Sequence, residues 1–317
     1  ALVHELEALL TPEEYASAKR TTFSQFFTSP VVMDAMHRAL AQLGVPENAT
    51  VLEPGCGIGR FMAHAPSSQR YIGVELDSLS GRIARLLNPR ADIRIESFRD
   101  TKLPPLDAVI GNVPFADVRM ELNGRRFSLH DYFIAKSVDS LKPGGVLAVV
   151  TSHYTLDKQN AEAREYLASK ADFLGAIRLP SNAFKGEGTE VVTDIVFLRK
   201  RAPEQEPNHA DPEWLETSVL GIDRADLPVN RYFCNHPDRV LGDWSRKDTL
   251  YGSGFSVIAN GDLAAQLDAA IGTLPGVAQT TVERPNPPPA PEAAAQFASS
   301  SGPAFNSPPP ERHITEG

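Results

Sequence analysis

Across 317 residues the chain is 42% hydrophobic and 22% charged, the balance of an ordinary soluble protein with room for one large α/β domain and an appendage. Two distant cysteines, Cys56 and Cys234, make no disulfide framework. No Cys/His spacing suits a metal and no apolar run reaches membrane-spanning length, so a reducing, cytoplasmic setting without metal or membrane is expected. Residues 1–201 hold 24 Lys+Arg against 24 Asp+Glu, so the whole net charge of −9 falls on the remainder. A nucleic-acid partner is neither favoured nor excluded by this balance, and any phosphate contact must come from a local patch.

Leu2 to Ala18 reads as helical, with Thr11-Pro12-Glu13-Glu14 as the start signal of a second helix. Thr21 to Pro30 is an aromatic-rich connector containing Phe23, Phe26 and Phe27, and with what precedes it forms a helical N-terminal segment, 1–30. Val32, Met36, Ala39, Leu40 and Leu43 then recur at helical spacing until Gly44. Strands are predicted at 49–53, 70–75, 92–96, 107–111, 145–151, 173–178 and 191–198, and helices at 58–64, 78–87, 130–141 and 159–170. This alternation predicts a doubly wound, mostly parallel, seven-stranded sheet within 31–201. Residues 202–275 read as a linker and a small ordered extension, and 276–317, rich in Pro, Ala and Ser, as a disordered tail. Beginning at Ala1 rather than Met, the chain is expected to be processed or to be a piece of something longer.

Two stretches carry the chemistry. Glu53-Pro54-Gly55-Cys56-Gly57-Ile58-Gly59 closes the first strand, and glycines there let the backbone approach a ligand where a Cβ would collide; the alternative is a plain strand–helix turn. Glu53 would repel a pyrophosphate but suits an ammonium group, which turns the reading from dinucleotides toward S-adenosylmethionine. About twenty residues on, Glu75 ends an apolar strand where a carboxylate can accept two ribose hydroxyls, while Asp77 is a helix-start acid. Phe98 and Asp100, after the third strand, could hold the adenine ring of the cofactor.

The second stretch is Asn112-Val113-Pro114-Phe115, at the end of the fourth strand. An exocyclic amine on a purine is a poor nucleophile because its lone pair is delocalised into the ring. Two acceptors, the Asn112 side-chain oxygen and a main-chain carbonyl beside Pro114, would draw the nitrogen toward sp³, and Phe115 offers a stacking face for an extruded base. Asn-x-Pro can also be a simple strand-ending turn. Arg119, Arg125 and Arg126 follow in a polar loop that either meets DNA or is a solvated hairpin. His130 and His153 read as structural, since methyl transfer to an amine needs no base before attack. Lys185-Gly186-Glu187-Gly188 is a flexible turn that could cover substrate.

These motifs resemble the adenine-N6 amino-methyltransferases, whose fourth motif is usually Asn-Pro-Pro-Tyr/Phe. The resemblance is closer to the methylase module of large helicase–methylase proteins of phages and plasmids, in which Asn-Val-Pro-Phe is the normal form. It runs from about Leu9 to Gly242. It passes through Thr28-Ser29-Pro30, Gly73 to Asp77, His130-Asp131-Tyr132-Phe133, Pro143-Gly144-Gly145, Gly175 to Pro180, Gly188 to Val191, Arg231-Tyr232-Phe233 and Val240-Leu241-Gly242. It implies a Rossmann-like class I methyltransferase acting on DNA, with a helicase module as partner in a longer polypeptide or complex. Thr28 would meet the methionine end of S-adenosylmethionine. Glu53, Gly55, Gly57 and Gly59 would hold its amino-acid part, Glu75 its ribose, and Asn112, Pro114 and Phe115 the target base. The family usually places Asp directly before the third-motif Phe; here Ser97 precedes Phe98, leaving Asp100 or backbone to hold the cofactor's adenine. Two other classes stay open: a protein-glutamine amide methyltransferase, and an inert binding module that keeps the fold.

Overall fold

The computed structural model describes residue 4 and residues 8–22, 28–183, 191–208, 212–246 and 254–276. Residues 277–317 of the expected tail, the Lys185–Gly188 turn and Phe23, Phe26 and Phe27 lie outside the described residues. Helix α1, Pro12–Thr22, starts where the sequence placed it. The Glu14 amide donates to Thr11 Oγ1 at 3.2 Å and Glu14 Oε2 accepts from the Thr11 amide at 2.9 Å, a reciprocal capping box. Helix α2, Pro30–Gln42, opens on proline and buries Val32, Met33, Met36, Ala39 and Leu40.

Four strands then pair in parallel: β1 (Thr50–Pro54), β2 (Arg70–Glu75), β3 (Asp92–Ile95) and β4 (Leu106–Asn112). With β7 (Leu141–Ser152), β8 (Ala171–Arg178) and β9 (Thr193–Lys200) they make a seven-stranded sheet in the order β3-β2-β1-β4-β7-β9-β8. The ladders from β3 to β7 are parallel, and β9 is antiparallel to both its neighbours. All seven predicted strands are present and the sheet is mainly parallel. Alternate residues feed two cores, as period-2 geometry requires of a sheet covered on both faces. Leu147, Val149 and Val196 face one core, whereas Val146, Ala148 and Phe197 face the other.

The connecting helices are α3 (Arg60–Ala63), α4 (Ser78–Leu87), α5 (Leu129–Ser140), α6 (Tyr154–Asp157) and α7 (Glu162–Ala168). The last is shorter than the predicted 159–170, because Asn160 Oδ1 accepts the Glu162 amide at 2.8 Å and delays the helix start. Between β4 and α5 lies a hairpin, β5 (Arg119–Leu122) and β6 (Arg125–Ser128). Its two turn residues, Asn123 (φ 51°) and Gly124 (φ 77°), both take the left-handed conformation that such tight hairpins demand.

The extension contributes a hairpin, β10 (Thr217–Ile222) with β11 (Ala225–Asn230), helices α8 (Arg231–Asn235) and α9 (Leu263–Gly272), and a short pair, β12 (Asp243–Ser245) with β13 (Ser256–Ile258). It packs directly on the sheet, within the compact unit of residues 1–278. Trp214 stacks on Phe173 of β8 with centroids 4.9 Å apart and planes at 10°. Arg178, fully buried on β8, pairs with Asp194 of β9 through two contacts of 2.8 Å and with Asp157 of α6 at 2.9 Å. Its guanidinium also sits 4.2 Å from the Phe233 ring centre, tying extension to sheet.

Candidate active site

The carboxyl ends of β1, β2 and β4 surround a cavity of about 540 Å³, a size that suits a small-molecule ligand, with its mouth at the edge where doubly wound sheets bind theirs. Thr28, Glu53, Gly55, Gly57, Glu75, Phe98, Asn112, Pro114 and Phe115 all line it. The glycine turn and the Asn112–Phe115 loop are therefore one site. A Cβ on Gly55, whose φ is +68°, would stand 3.3 Å from Pro114 Cδ and 3.6 Å from Phe133 Cε1, so the two loops pack against each other there. At Gly57 (φ +54°) an added Cβ would meet no described protein atom within 4 Å. That backbone is open to a ligand.

Glu53 is buried, 3% exposed, and among the described residues its Oε2 has no hydrogen-bond partner. Burial pushes its carboxyl well above the usual carboxylate range; the amides of Met62 and Phe61 oppose that shift and Glu75 reinforces it. Glu75 is raised as well, chiefly by burial, but it is anchored: Oε2 accepts the Gly57 amide and Oε1 the Asp77 amide, each at 2.8 Å. One carboxylate thus braces the glycine turn while keeping lone pairs for a further donor. Asp77 caps α4, its Oδ2 accepting the Ser80 amide at 2.7 Å. Burial, with help from Glu53 and Glu75, raises the Cys56 thiol, so it is no nucleophile.

Phe98 is buried against Phe133 at a centroid distance of 4.7 Å, with Lys136 Nζ 4.9 Å above its ring. Asp100 does not join it. The turn from Ser97, whose carbonyl accepts the amides of Asp100 at 3.0 Å and Thr101 at 3.1 Å, leaves Asp100 exposed and off the cavity wall. Gly59 is also off the wall. It caps α3 with φ +78°, where a Cβ would fall 2.5 Å from Asn88 Nδ2, so its role is to let β1 turn into α3.

Asn112 ends β4 opposite Val150 of β7, whose carbonyl accepts the Val113 amide at 3.0 Å. Phe115 meets the His130 ring edge-on at 6.3 Å. His130 is held below its ordinary value by burial, so its imidazole is neutral at pH 7; Ser128 Oγ lies 3.0 Å from its Nε2. Arg119, Arg125 and Arg126 do not line the cavity. They are exposed on the β5–β6 hairpin, which turns Met120 inward to the cavity wall. Phe133, the fifth residue of α5, was not singled out by role, although its ring packs on Phe98 and lines the cavity. Among the described residues no cluster could hold a metal ion, and no helix is long and apolar enough to cross a membrane.

Sheet order and site together define a class I methyltransferase fold. The chain belongs to the N-6 DNA methylase family, whose pattern matches residues 4–226. It is 31% identical over 191 residues to the defense against restriction protein B of Escherichia phage P1, a match covering 57% of this chain and 8% of that one. It is 27% identical over 202 residues to the type II methyltransferase M.CvrRI of Paramecium bursaria Chlorella virus XZ-6E, covering 58% of this chain and 50% of that one. To the type II methyltransferase M.HincII of Haemophilus influenzae it is 28% identical over 193 residues, covering 55% and 37%. The chain therefore matches half or less of the length of each of these relatives. Among solved structures, the M protein of the type I restriction enzyme EcoKI shares the fold, with a TM-score of 0.50 and 16% identity over 78% of this chain and 70% of that one.

Proposed function

We propose that this chain transfers the methyl group of S-adenosylmethionine to the exocyclic N6 amine of adenine in DNA. The observation that carries the reading is the meeting, in one cavity, of the open Glu53 oxygen and the Asn112–Phe115 loop. The cavity residues fit the cofactor. A buried carboxylate oxygen with no partner suits an ammonium group, Glu75 suits a vicinal diol, the Gly57 backbone admits close approach, and the buried Phe98 ring suits a purine. With Asp100 turned away, the backbone at Ser97–Phe98 takes the place of the family's usual acid. When bound, S-adenosylmethionine supplies a methyl group made electrophilic by its sulfonium.

The chain's own contribution is positional. Asn112 and the carbonyl beside Pro114 would accept hydrogen bonds from the two amine N–H groups, which would free the nitrogen lone pair for the transferable methyl, while Phe115 would hold the ring. In that arrangement the N–C bond would form as the S–C bond breaks, the cofactor would leave as the neutral thioether, and the surplus proton would pass from the nitrogen to solvent. DNA is met by Arg119, Arg125 and Arg126 on the exposed hairpin. The work is done within a larger polypeptide or complex, a view supported by the 8% coverage of the phage relative. Tritiated cofactor incubated with the protein and mixed-sequence DNA tests the proposal: label is expected in DNA, and label found only in protein would overturn it in favour of an amide methyltransferase.

Glu53 adds a pH signature. Burial favours the protonated form of Glu53, and an ammonium ligand must displace that proton, so cofactor affinity is expected to rise with pH through the raised titration range of Glu53. The slope approaches tenfold per pH unit where Glu53 is protonated. Because the folded-state carboxyl lies above its unfolded value, the stability it contributes is present at low pH and lost as pH rises. Glu53→Gln is thus expected to melt at a higher temperature than wild type near pH 7 while binding cofactor weakly and without this slope. Calorimetric titration across pH 5.5–7.5, with thermal melts, checks both.

A further inference from the structure

β7 runs two residues past Val150, the partner of Asn112, and hands over to α6 at His153. Since β7 is parallel to β4, this turn stands on the same edge of the sheet as the Asn112–Phe115 loop. Tyr154, which opens α6, is 58% exposed and lies on the His153 ring, with centroids 4.1 Å apart and planes at 33°. His153 is held from behind. Its Nδ1 is 3.0 Å from Asp157 Oδ2, the same carboxylate that pairs with buried Arg178, and Phe255 packs edge-on at 5.1 Å.

Single exposed aromatics are common on protein surfaces and need no explanation. This one differs in being pre-stacked, backed by a buried ion network and placed on the ligand edge. Phe115 meets His130 edge-on at 6.3 Å, and Asn112 and Tyr154 follow one another across the paired ends of β4 and β7, so base loop and tyrosine share one edge of the sheet. The nearby acid is turned inward, because Asp157 is buried and paired with Arg178 at 2.9 Å, while Lys158 follows it with a positive charge.

We propose that Tyr154, supported on His153, is a stacking site for a second nucleobase, the neighbour of the target adenine in the substrate strand. This rests on the DNA-methylating reading above but concerns a separate contact. A rigid aromatic face accepts any base, and losing such a stack costs roughly 5- to 150-fold in affinity. It also offers a chain whose core has no excess positive charge a way to hold a strand next to its cavity.

The test is fluorescence anisotropy with a labelled single-stranded oligonucleotide containing adenine, at fixed salt, using the whole protein. Tyr154→Ala is expected to weaken binding 5- to 150-fold. Tyr154→Trp and Tyr154→Phe are expected to stay within about threefold of wild type, since both keep a stacking face. Cofactor titration of each variant reports whether the cavity is intact. Equal DNA affinity for wild type and Tyr154→Ala would overturn the proposal, as would a loss that Trp and Phe share. Binding is read without turnover. A wild type that binds through Tyr154 but never methylates would therefore overturn the catalytic reading and leave the stacking site standing.

Discussion

Asn112→Ala is expected to slow methyl transfer to DNA by roughly 100- to 1,000-fold while leaving cofactor affinity within about twofold of wild type. That is the range seen when one preorganised hydrogen-bonding group is removed from a reacting centre. The separation follows from where the contacts lie. The proposed cofactor contacts are made by Glu53, Glu75 and the glycine turn, on β1 and β2, whereas Asn112 ends β4. The backbone there is fixed independently of the side chain, by the ladder to Val150 and the Val113 amide bond to its carbonyl. Single-turnover assays with saturating cofactor, beside calorimetric titration, measure both quantities. Loss of both together would mean that Asn112 is a structural turn residue.

Arg178→Ala is expected to destabilise the fold by about 3–5 kcal/mol, because it strands Asp157 and Asp194 in the interior without a counter-charge. Burial works against the Arg178 charge, but the carboxylates of Asp157 and Asp194 outweigh it and hold the guanidinium protonated. The same substitution removes the cation from the Phe233 face. A drop of roughly 10 °C in Tm is expected for a unit of this size. The loss should shrink in an Asp157→Asn, Asp194→Asn background, where no naked charge remains. Chemical denaturation of the four proteins checks this; an Arg178→Ala cost below about 1 kcal/mol would show that the network is not what fastens the extension.

Much of the fold was legible because its signals are local. Asp77 and the apolar spacing bound α4 at both ends, and Thr11 with Glu14 announced α1, since caps are read within four residues of sequence. Strand order was not. That β9 slips between β7 and β8 is a fact of pairing across the sheet, invisible to residue patterns. The β5–β6 hairpin was one of the two readings of the arginine-bearing loop, and Leu122-Asn123-Gly124-Arg125, with its Asn-Gly turn, was the local signal that would have favoured it.

The site divides the same way. Glu53, Gly55, Gly57, Glu75 and Asn112 to Phe115 meet around one cavity because each sits at a strand end, and parallel strands bring those ends to one edge. Asp100 was nominated for its place after the third strand and Gly59 as a member of the glycine turn, but the turn at Ser97 and the cap of α3 place them off the cavity wall. The Arg178 network was missed for a plainer reason. Arg178 reads as an ordinary letter of Gly175-Ala176-Ile177-Arg178-Leu179-Pro180, and its partners come from α6 and β9, which only the folded chain brings to it.

The central claim is tested most directly by digesting DNA that has been incubated with the protein and methyl-deuterated S-adenosylmethionine, then identifying the labelled nucleoside by mass spectrometry. Deuterated N6-methyldeoxyadenosine, present with wild type and missing with Asn112→Ala, is the expected result. Deuterium on cytosine, or equal labelling by wild type and Asn112→Ala, would contradict it.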